Sequence, residues 1–448
     1  MKSCQLVVHA ERGGAITGSS AVGTRSIPQD VVDCVMEFFY DDKNALKKCS
    51  LVCRTWLWRA SIHLFQRFSW PPCRHAWRDR YGLQTQCLCL SLGGPAFWSS
   101  LFALFERSPR LQDAVGTLQI CCSWSVVSVQ GDPRHFIQEV TLSDLSKILD
   151  KVPQLRCLYL DSLRLLPDPS SSVDHPVSKK LQKLTLRSPQ PAPTYKFDLI
   201  EDLVRHFDQI SLLQFVSVYI APADYNLRAD IPHARPHVKA IEINNTTPTS
   251  FPLYLTLLSN TVDLASVSSL ILRQLHGAGP TPEVCAFLQS ATKLHALQLD
   301  GPASTAMLAP ALPAAIPKVR TLTVYCRIVV DSWPIFSTWD ALRRVARCQI
   351  PTVDEVAIHL TLETNLPCNT AEHVLDEVLA KAIMSLDWRS LDQVLAAYGA
   401  VTLETELGGS SSRLPSRQAM HYRSVIEEAV NKQVSAEMRR RPRLHVHW

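Results

Sequence analysis

The sequence predicts an α/β chain: a small bundle of three short helices, then an irregular solenoid on a mainly parallel sheet, then a more helical C-terminal cap. Three features carry this prediction. Apolar residues recur at helical spacing through positions 31–64. A phrase of three apolar residues, spaced three and then two apart, recurs nine times between positions 115 and 358. Beyond 358 the apolar spacing turns helical again. A length of 448 residues exceeds one ordinary core and suits several domains or one repetitive array.

Composition excludes several classes. Hydrophobic residues at 46% and charged residues at 19% describe a folding chain, not a disordered one. Gly 15 and Pro 29 are far too few for collagen-like sequence. No window supplies the ~18–20 unbroken apolar residues of a membrane helix. The nearest stretch, 303–319, is interrupted by Pro310, Pro313 and Pro317. The first ten residues carry one lysine and a short apolar run, which is not a secretory pattern. The 14 cysteines lack dense, regular spacing, so reduced thiols in a cytoplasmic or nuclear protein are expected. Net charge is +5, and positions 413–448, with eight Lys/Arg and three Glu, hold all of it. A neutral body predicts no nucleic-acid partner, because such readers show a basic folded face; no membrane partner is expected either.

Taken in order, residues 1–25, with Gly13, Gly14, Gly18 and Gly23 among Ser, Thr and Ala, read as a flexible arm. Ser26, three residues before Gln29 and with Pro28 between, marks a helix start. The first helix is expected to bury Val31, Val35, Phe38 and Phe39, leaving Val32 outward. Asp41 and Asp42 break the run and cap a second helix striped by Ala45, Cys49 and Val52, with Leu46 and Leu51 alongside. A third helix aligns Cys53, Trp56, Ala60 and Leu64. Three helices this short bury little, and Leu51 and Trp58 are left outward, so the bundle reads as half of an interface.

These residues resemble an F-box. Ile27 and Pro28 stand where that family has Leu-Pro, followed by an apolar helix and the acidic turn Asp41, Asp42 before Leu46. The phrase Leu51, Val52, Cys53, Arg54, x, Trp56 is its most specific element, in the style of the F-box-like family of mushroom-forming fungi. The resemblance covers about 27–66 and implies docking on the Skp-type adaptor, and through it a cullin, of a ubiquitin ligase. It implies adaptor-binding positions at Ile27, Pro28, Val31 and Val35 on the first helix. Leu46, Leu51, Val52, Cys53 and Trp56 complete or brace that surface. The implied role is a non-catalytic substrate receptor for an unknown target protein. The alternative is an interaction scaffold with no ubiquitin transfer.

The recurring phrase appears as Val115, Leu118, Ile120; Leu155, Leu158, Leu160; Leu181, Leu184, Leu186; and Leu213, Val216, Val218. It continues as Val238, Ile241, Ile243; Val267, Leu270, Leu272; Leu294, Leu297, Leu299; Val319, Leu322, Val324; and Val353, Val356, Ile358. Starts 25–40 residues apart resemble a divergent leucine-rich-repeat-like series, one short strand per repeat. Segments 197–207 and 282–290 carry apolar residues at helical spacing and suit the return path. Pro/Ser-rich stretches at 162–179 and 188–195 read as loops. Helices are expected at 372–382, 390–398 and 420–439, a flexible break at 408–412, and a last strand at 444–448. The resulting divisions are 1–25 arm, 26–68 F-box, 69–110 connector, 111–400 repeat solenoid, and 401–448 cap with basic tail.

Catalytic chemistry is not found. Gly13 and Gly18 have phosphate-loop spacing, but Ser19 and Ser20 stand where Lys-Ser/Thr must follow. Gly277 and Gly279 lack the third glycine of a dinucleotide fingerprint. There is no Cys-x-x-Cys, Gly-x-Ser-x-Gly or His-Glu-x-x-His. Cys49 and Cys53, four apart on a helical stretch, read as core, and His445 with His447 offers two ligands where zinc needs three or four. No catalytic residue, cofactor or metal is therefore expected. Arg439, Arg440, Arg441 and Arg443 read as a solvated charge run, an import signal or a contact for an anionic partner, and Trp333 and Trp339 as core or an interaction hot spot.

Overall fold

The computed structural model describes residues 27–40, 42–70, 95–121, 128–129, 132–133, 138–161, 163–166, 179–188, 194–220, 235–244, 250–273, 282–300, 319–329, 353–364, 400–409 and 444–447, with single positions 374, 377, 381, 424 and 428. The expected arm, most of the connector, the basic cluster and Trp333 and Trp339 lie outside these residues. The chain divides between Leu64 and Phe65 into two compact units.

The first unit holds α1 (Gln29–Phe38), α2 (Lys43–Cys49) and α3 (Arg54–Phe65). The second is α/β. Among the described residues twelve strands form one sheet: β1 (Arg67–Trp70), β2 (Thr117–Cys121), β3 (Cys157–Asp161), β4 (Lys180–Arg187), β5 (Gln209–Val216) and β6 (His237–Asn244) make its first half. Its second half is β7 (Ser269–Arg273), β8 (Ala296–Asp300), β9 (Thr321–Val329), β10 (Glu355–Thr364), β11 (Ala400–Gly409) and β12 (Leu444–His447). Each strand lies beside the one before it in sequence, and every neighbouring pair is parallel. Parallel neighbours need a crossover between them. Helices supply several: α6 (Leu142–Lys151), α7 (Phe197–Arg205), α8 (Ser250–Thr261) and α9 (Pro282–Ser290), preceded by α4 (Pro95–Arg107) and α5 (Pro109–Ala114).

The register explains why the apolar phrase is spaced as it is. Leu118, Leu158, Leu184, Leu213, Ile241, Leu270, Leu297, Leu322 and Val356 form one row across β2–β10. Two residues on, Ile120, Leu160, Leu186, Phe215, Ile243, Leu272, Leu299, Val324 and Ile358 form a second. Every side chain in both rows is at most 1% exposed. Helices close over these rows with apolar faces, such as Leu145, Ile148 and Leu149 of α6 and Ile200, Leu203 and Val204 of α7. Thr141 caps α6 by accepting from the Asp144 amide at 3.1 Å.

Several expectations need correction. The phrase on β5 is Ile210, Leu213, Phe215, three residues earlier than Leu213, Val216, Val218; Val216 is only half-buried. Both readings satisfy the spacing, and Phe215 wins because its ring packs edge-on against Tyr254 of α8 at 5.1 Å between centroids. The sheet begins at Arg67, inside the expected F-box, and continues past 400 into β11, within the expected cap. Gly408 and Gly409, expected as a flexible break, close β11. Leu163–Leu166, expected as loop, pairs with Gln138–Thr141. Positions 374 and 381 are helical within 372–382, as are 424 and 428 within 420–439. Helix α8 was not foreseen, because Phe251, Tyr254, Leu255, Leu257 and Leu258 are apolar around the helix and give no stripe.

His206, just after α7, is 8% exposed, and its Nε2 has no hydrogen-bond partner. Burial holds its pKa below the ordinary histidine value, a little offset by the Asp150 carboxylate and reinforced by Lys179. The folded form therefore keeps His206 neutral, while the unfolded chain protonates it once pH falls below about 6.5. Stability from this site is present above that value and is lost as pH falls toward the depressed folded pKa. His206→Leu is expected to reduce the drop in thermal midpoint between about pH 7 and about pH 5; parallel melts of the two proteins would show an unchanged drop if the site does not titrate this way.

Candidate docking surfaces

The helical unit is the smaller candidate. Helix α1 begins after Pro28, whose carbonyl accepts from the Val32 amide at 3.3 Å, with no side-chain cap. Asp42 caps α2 by accepting from the Asn44 and Ala45 amides, each at 3.0 Å. Asp33 on α1 pairs with Arg59 on α3 (Nε–Oδ1 2.8 Å) and also accepts from Gln29 Nε2 at 2.8 Å. With both Asp33 and Arg59 about one-third exposed, such a pair contributes well under about 1 kcal/mol.

Among the described residues four side chains make the core: Val32, Met36, Leu46 and Ala60, with Phe39, Cys49, Trp56 and Leu64 packed against them. The buried stripe that starts on α1 is thus Val32, Met36, Phe39; of the expected Val31, Val35, Phe38 and Phe39, Phe39 packs on the core, and the other three lie one residue before the buried stripe. Two stripes of equal spacing overlap on this helix, and packing chooses the one carrying Met36. Val32, expected outward, is 2% exposed, while Val31 and Phe38 stand in solvent. On α3 the expected Trp56, Ala60, Leu64 stripe does face the core, without Cys53. Burial pushes the Cys49 thiol pKa up, so it is not a reactive thiolate. Cys34, Cys49, Cys53, Cys121, Cys157 and Cys285 are free thiols.

The positions implied as adaptor-binding separate accordingly. Ile27, Pro28 and Val31 are exposed at the start of α1, and Leu51, Val52 and Cys53 are exposed in the turn between α2 and α3. Val35 is half-buried. Leu46 is fully buried and Trp56 packs on the core, so both hold the helices together and Leu46 offers no contact surface. Leu51 is 85% and Val52 61% exposed. The turn keeps them there: the Leu51 amide donates to the Lys48 carbonyl and the Val52 amide to the Cys49 carbonyl, both at 3.1 Å. Phe38 (81%) and Leu57 (40%) add further exposed apolar surface that the resemblance did not single out.

The second candidate is the face of the sheet opposite the buried rows. Arg273 Nε lies 3.1 Å from Glu242 Oε1, an ion pair out of line for a hydrogen bond. Its guanidinium sits 5.4 Å from the centre of the Tyr325 ring, which stacks on His359 at 4.4 Å. Toward β1, Lys183 sits 5.5 Å from the centre of the Tyr159 ring, and Thr185 donates to Gln214 Oε1 at 3.0 Å. No three His, Cys, Asp or Glu are gathered closely enough to hold a metal ion among the described residues. No helix among them is long and apolar enough to cross a membrane.

No known family model matches this sequence, and no curated protein matches it either. The surfaces themselves therefore carry the functional reading.

Leu46 and Leu51, five residues apart, offer an internal contrast. Leu46→Ala is expected to destabilise the helical unit by about 2–5 kcal/mol. Leu51→Ala should stay within about 0.5 kcal/mol of the parent. Urea titration followed by proteolysis within 27–64 measures both, and equal losses would contradict the placement of Leu51 in solvent.

Proposed function

We propose that the chain is a substrate-receptor subunit of a Skp–cullin–F-box ubiquitin ligase. In this reading residues 27–66 dock on the Skp-type adaptor, and the sheet unit, read as a leucine-rich-repeat-like solenoid, holds a target protein. The observation that carries it is the exposure of Leu51 and Val52 within the phrase that most resembles the F-box. Burying a leucine fully contributes about 1.5–3 kcal/mol, so a folded unit that presents Leu51, Val52, Ile27 and Val31 to water has apolar surface to give to a partner. Its four-residue core is small enough that docking adds materially to its own stability.

A receptor of this kind does no bond chemistry. It raises the effective concentration of a bound target near a ubiquitin-charged enzyme held elsewhere in the assembly. The sheet unit suits the holding role because twelve side-by-side strands extend one continuous face.

The test is co-purification of the Skp-type adaptor with the whole chain and with the double variant Pro28→Glu, Leu51→Glu. Both positions are exposed, so the variant keeps its fold. The adaptor is expected to follow the parent and to be lost by the variant. Equal retention by both proteins contradicts the docking assignment. Retention by the parent with no adaptor-dependent ubiquitin on a bound protein would instead make the chain a scaffold.

A further inference from the structure

We propose that the open face of β1–β4 binds an acidic, carboxylate-rich extended segment of a target protein. The inference rests on reading the sheet unit as the target-holding part, and it does not depend on adaptor docking. Opposite the buried rows, the register sets Arg67, Thr117, Cys157 and Lys183 in one line across β1–β4. The next line is Ser69, Gln119, Tyr159 and Thr185, and the third contains Cys121, Asp161 and Arg187. Cys121 and Thr185 are buried, so the accessible part includes Arg67, Ser69 and Arg187, with half-buried Gln119, Tyr159 and Lys183.

These lines carry three cations against one carboxylate. Arg67 and Arg187 are exposed and Lys183 is half-buried. No carboxylate pairs with any of the three among the described residues, whereas Arg273, Arg205, Arg164 and Lys147 each have a carboxylate partner. Tyr159 lies among the cations, with Lys183 over its ring and the Arg67 charge acting on its phenol. Hydrogen bonds hold the polar neighbours on each side, from Ser69 Oγ to Gln119 Oε1 (3.3 Å) and from Thr185 Oγ1 to Gln214 Oε1 (3.0 Å).

The spacing defines the ligand further. Arg67 and Lys183 are three strand intervals apart, roughly 14 Å at ~4.8 Å per interval. An extended peptide advances ~3.4 Å per residue, so side chains at i and i+4 span the same ~14 Å and share one face. The segment that fits carries Glu or Asp at i and i+4 and an apolar residue at i+2 over the Tyr159 ring. Exposed charge pairs contribute roughly 0.2–1 kcal/mol each, so the site is weak alone and selects by charge.

The probe is a labelled peptide containing Glu-Ser-Leu-Ser-Glu, compared with its Gln-Ser-Leu-Ser-Gln analogue by fluorescence anisotropy on the full chain. The Glu peptide is expected to bind at least tenfold more tightly at low ionic strength, with the preference shrinking as salt approaches about 0.15 M. The triple variant Arg67→Gln, Lys183→Gln, Arg187→Gln should abolish the preference. A control triple, Lys196→Gln, Arg235→Gln, Lys293→Gln, with cations elsewhere on the same unit, should keep it. Should the triple variant misfold, Arg67→Gln alone, at an exposed end of the span, is expected to lose at least twofold. Equal binding of the two peptides, or a preference that survives the triple variant, overturns the proposal. Displacement of the labelled peptide by an RNA oligonucleotide at lower concentration than by unlabelled peptide also overturns it, since that marks a phosphate site. Adaptor co-purification of the triple variant, measured in parallel, reports separately on the docking reading.

Discussion

Two rows of buried aliphatic side chains, held in register across nine parallel strands, are the constraint on which the larger unit depends. Each strand contributes one residue to each row, such as Leu297 and Leu299 on β8, and neither can leave without opening a gap against both neighbouring strands. A buried leucine is worth about 1.5–3 kcal/mol, and tight interiors do not close over lost volume cheaply. The rows fix everything else. They require crossovers because the strands are parallel, and the helices that supply them must present apolar faces to the same rows. They also decide which residues lie opposite, because a strand side chain two positions removed returns to the same face. The open face is thus a consequence of the core: once Leu158 and Leu160 are inside, Cys157, Tyr159 and Asp161 are out.

The helical unit obeys the opposite economy. It has too few residues to bury all its apolar side chains, and it buries Met36, Leu46 and Ala60 completely while leaving Leu51 and Val52 in water. Its helices are closed by local polar contacts, the Asp42 cap and the Asp33–Arg59 pair, that cost no apolar surface. In the proposed receptor, this division places adaptor recognition on one unit and target recognition on the other. Changes to the open face of the sheet can then retune the target without disturbing the helices.

Much of this was legible in the sequence, and the exceptions have physical causes. Spacing located the strands from β2 to β10 because a half-buried strand in a repeated phrase leaves a period that composition cannot imitate. It misplaced β5 by three residues because Leu213 belongs to two overlapping phrases, and only contact between Phe215 and Tyr254 separates them. It missed β1 although Phe65, Phe68 and Trp70 satisfy the same phrase, because Phe65 also ends α3. On α1 the outward Val31 and inward Val32 were exchanged for the same reason, two equal stripes on one helix. The surface positions at Pro28, Leu51 and Val52 were legible as candidates; that Leu46 is wholly internal was not. The cationic patch was hidden for a different reason. A net-neutral body says nothing of local excess, and only the register shows that Arg67, Lys183 and Arg187, more than a hundred residues apart at the extremes, share one face.

In the proposed receptor, the exposed apolar residues of the helical unit are the adaptor-binding surface. Hydrogen–deuterium exchange of the full chain, with and without the Skp-type adaptor, tests it most directly. Docking there slows exchange at the start of α1, around 27–35, and in the turn and first part of α3, around 50–57, and leaves the strands of the sheet unchanged. Protection on the sheet with none in those two segments would contradict it.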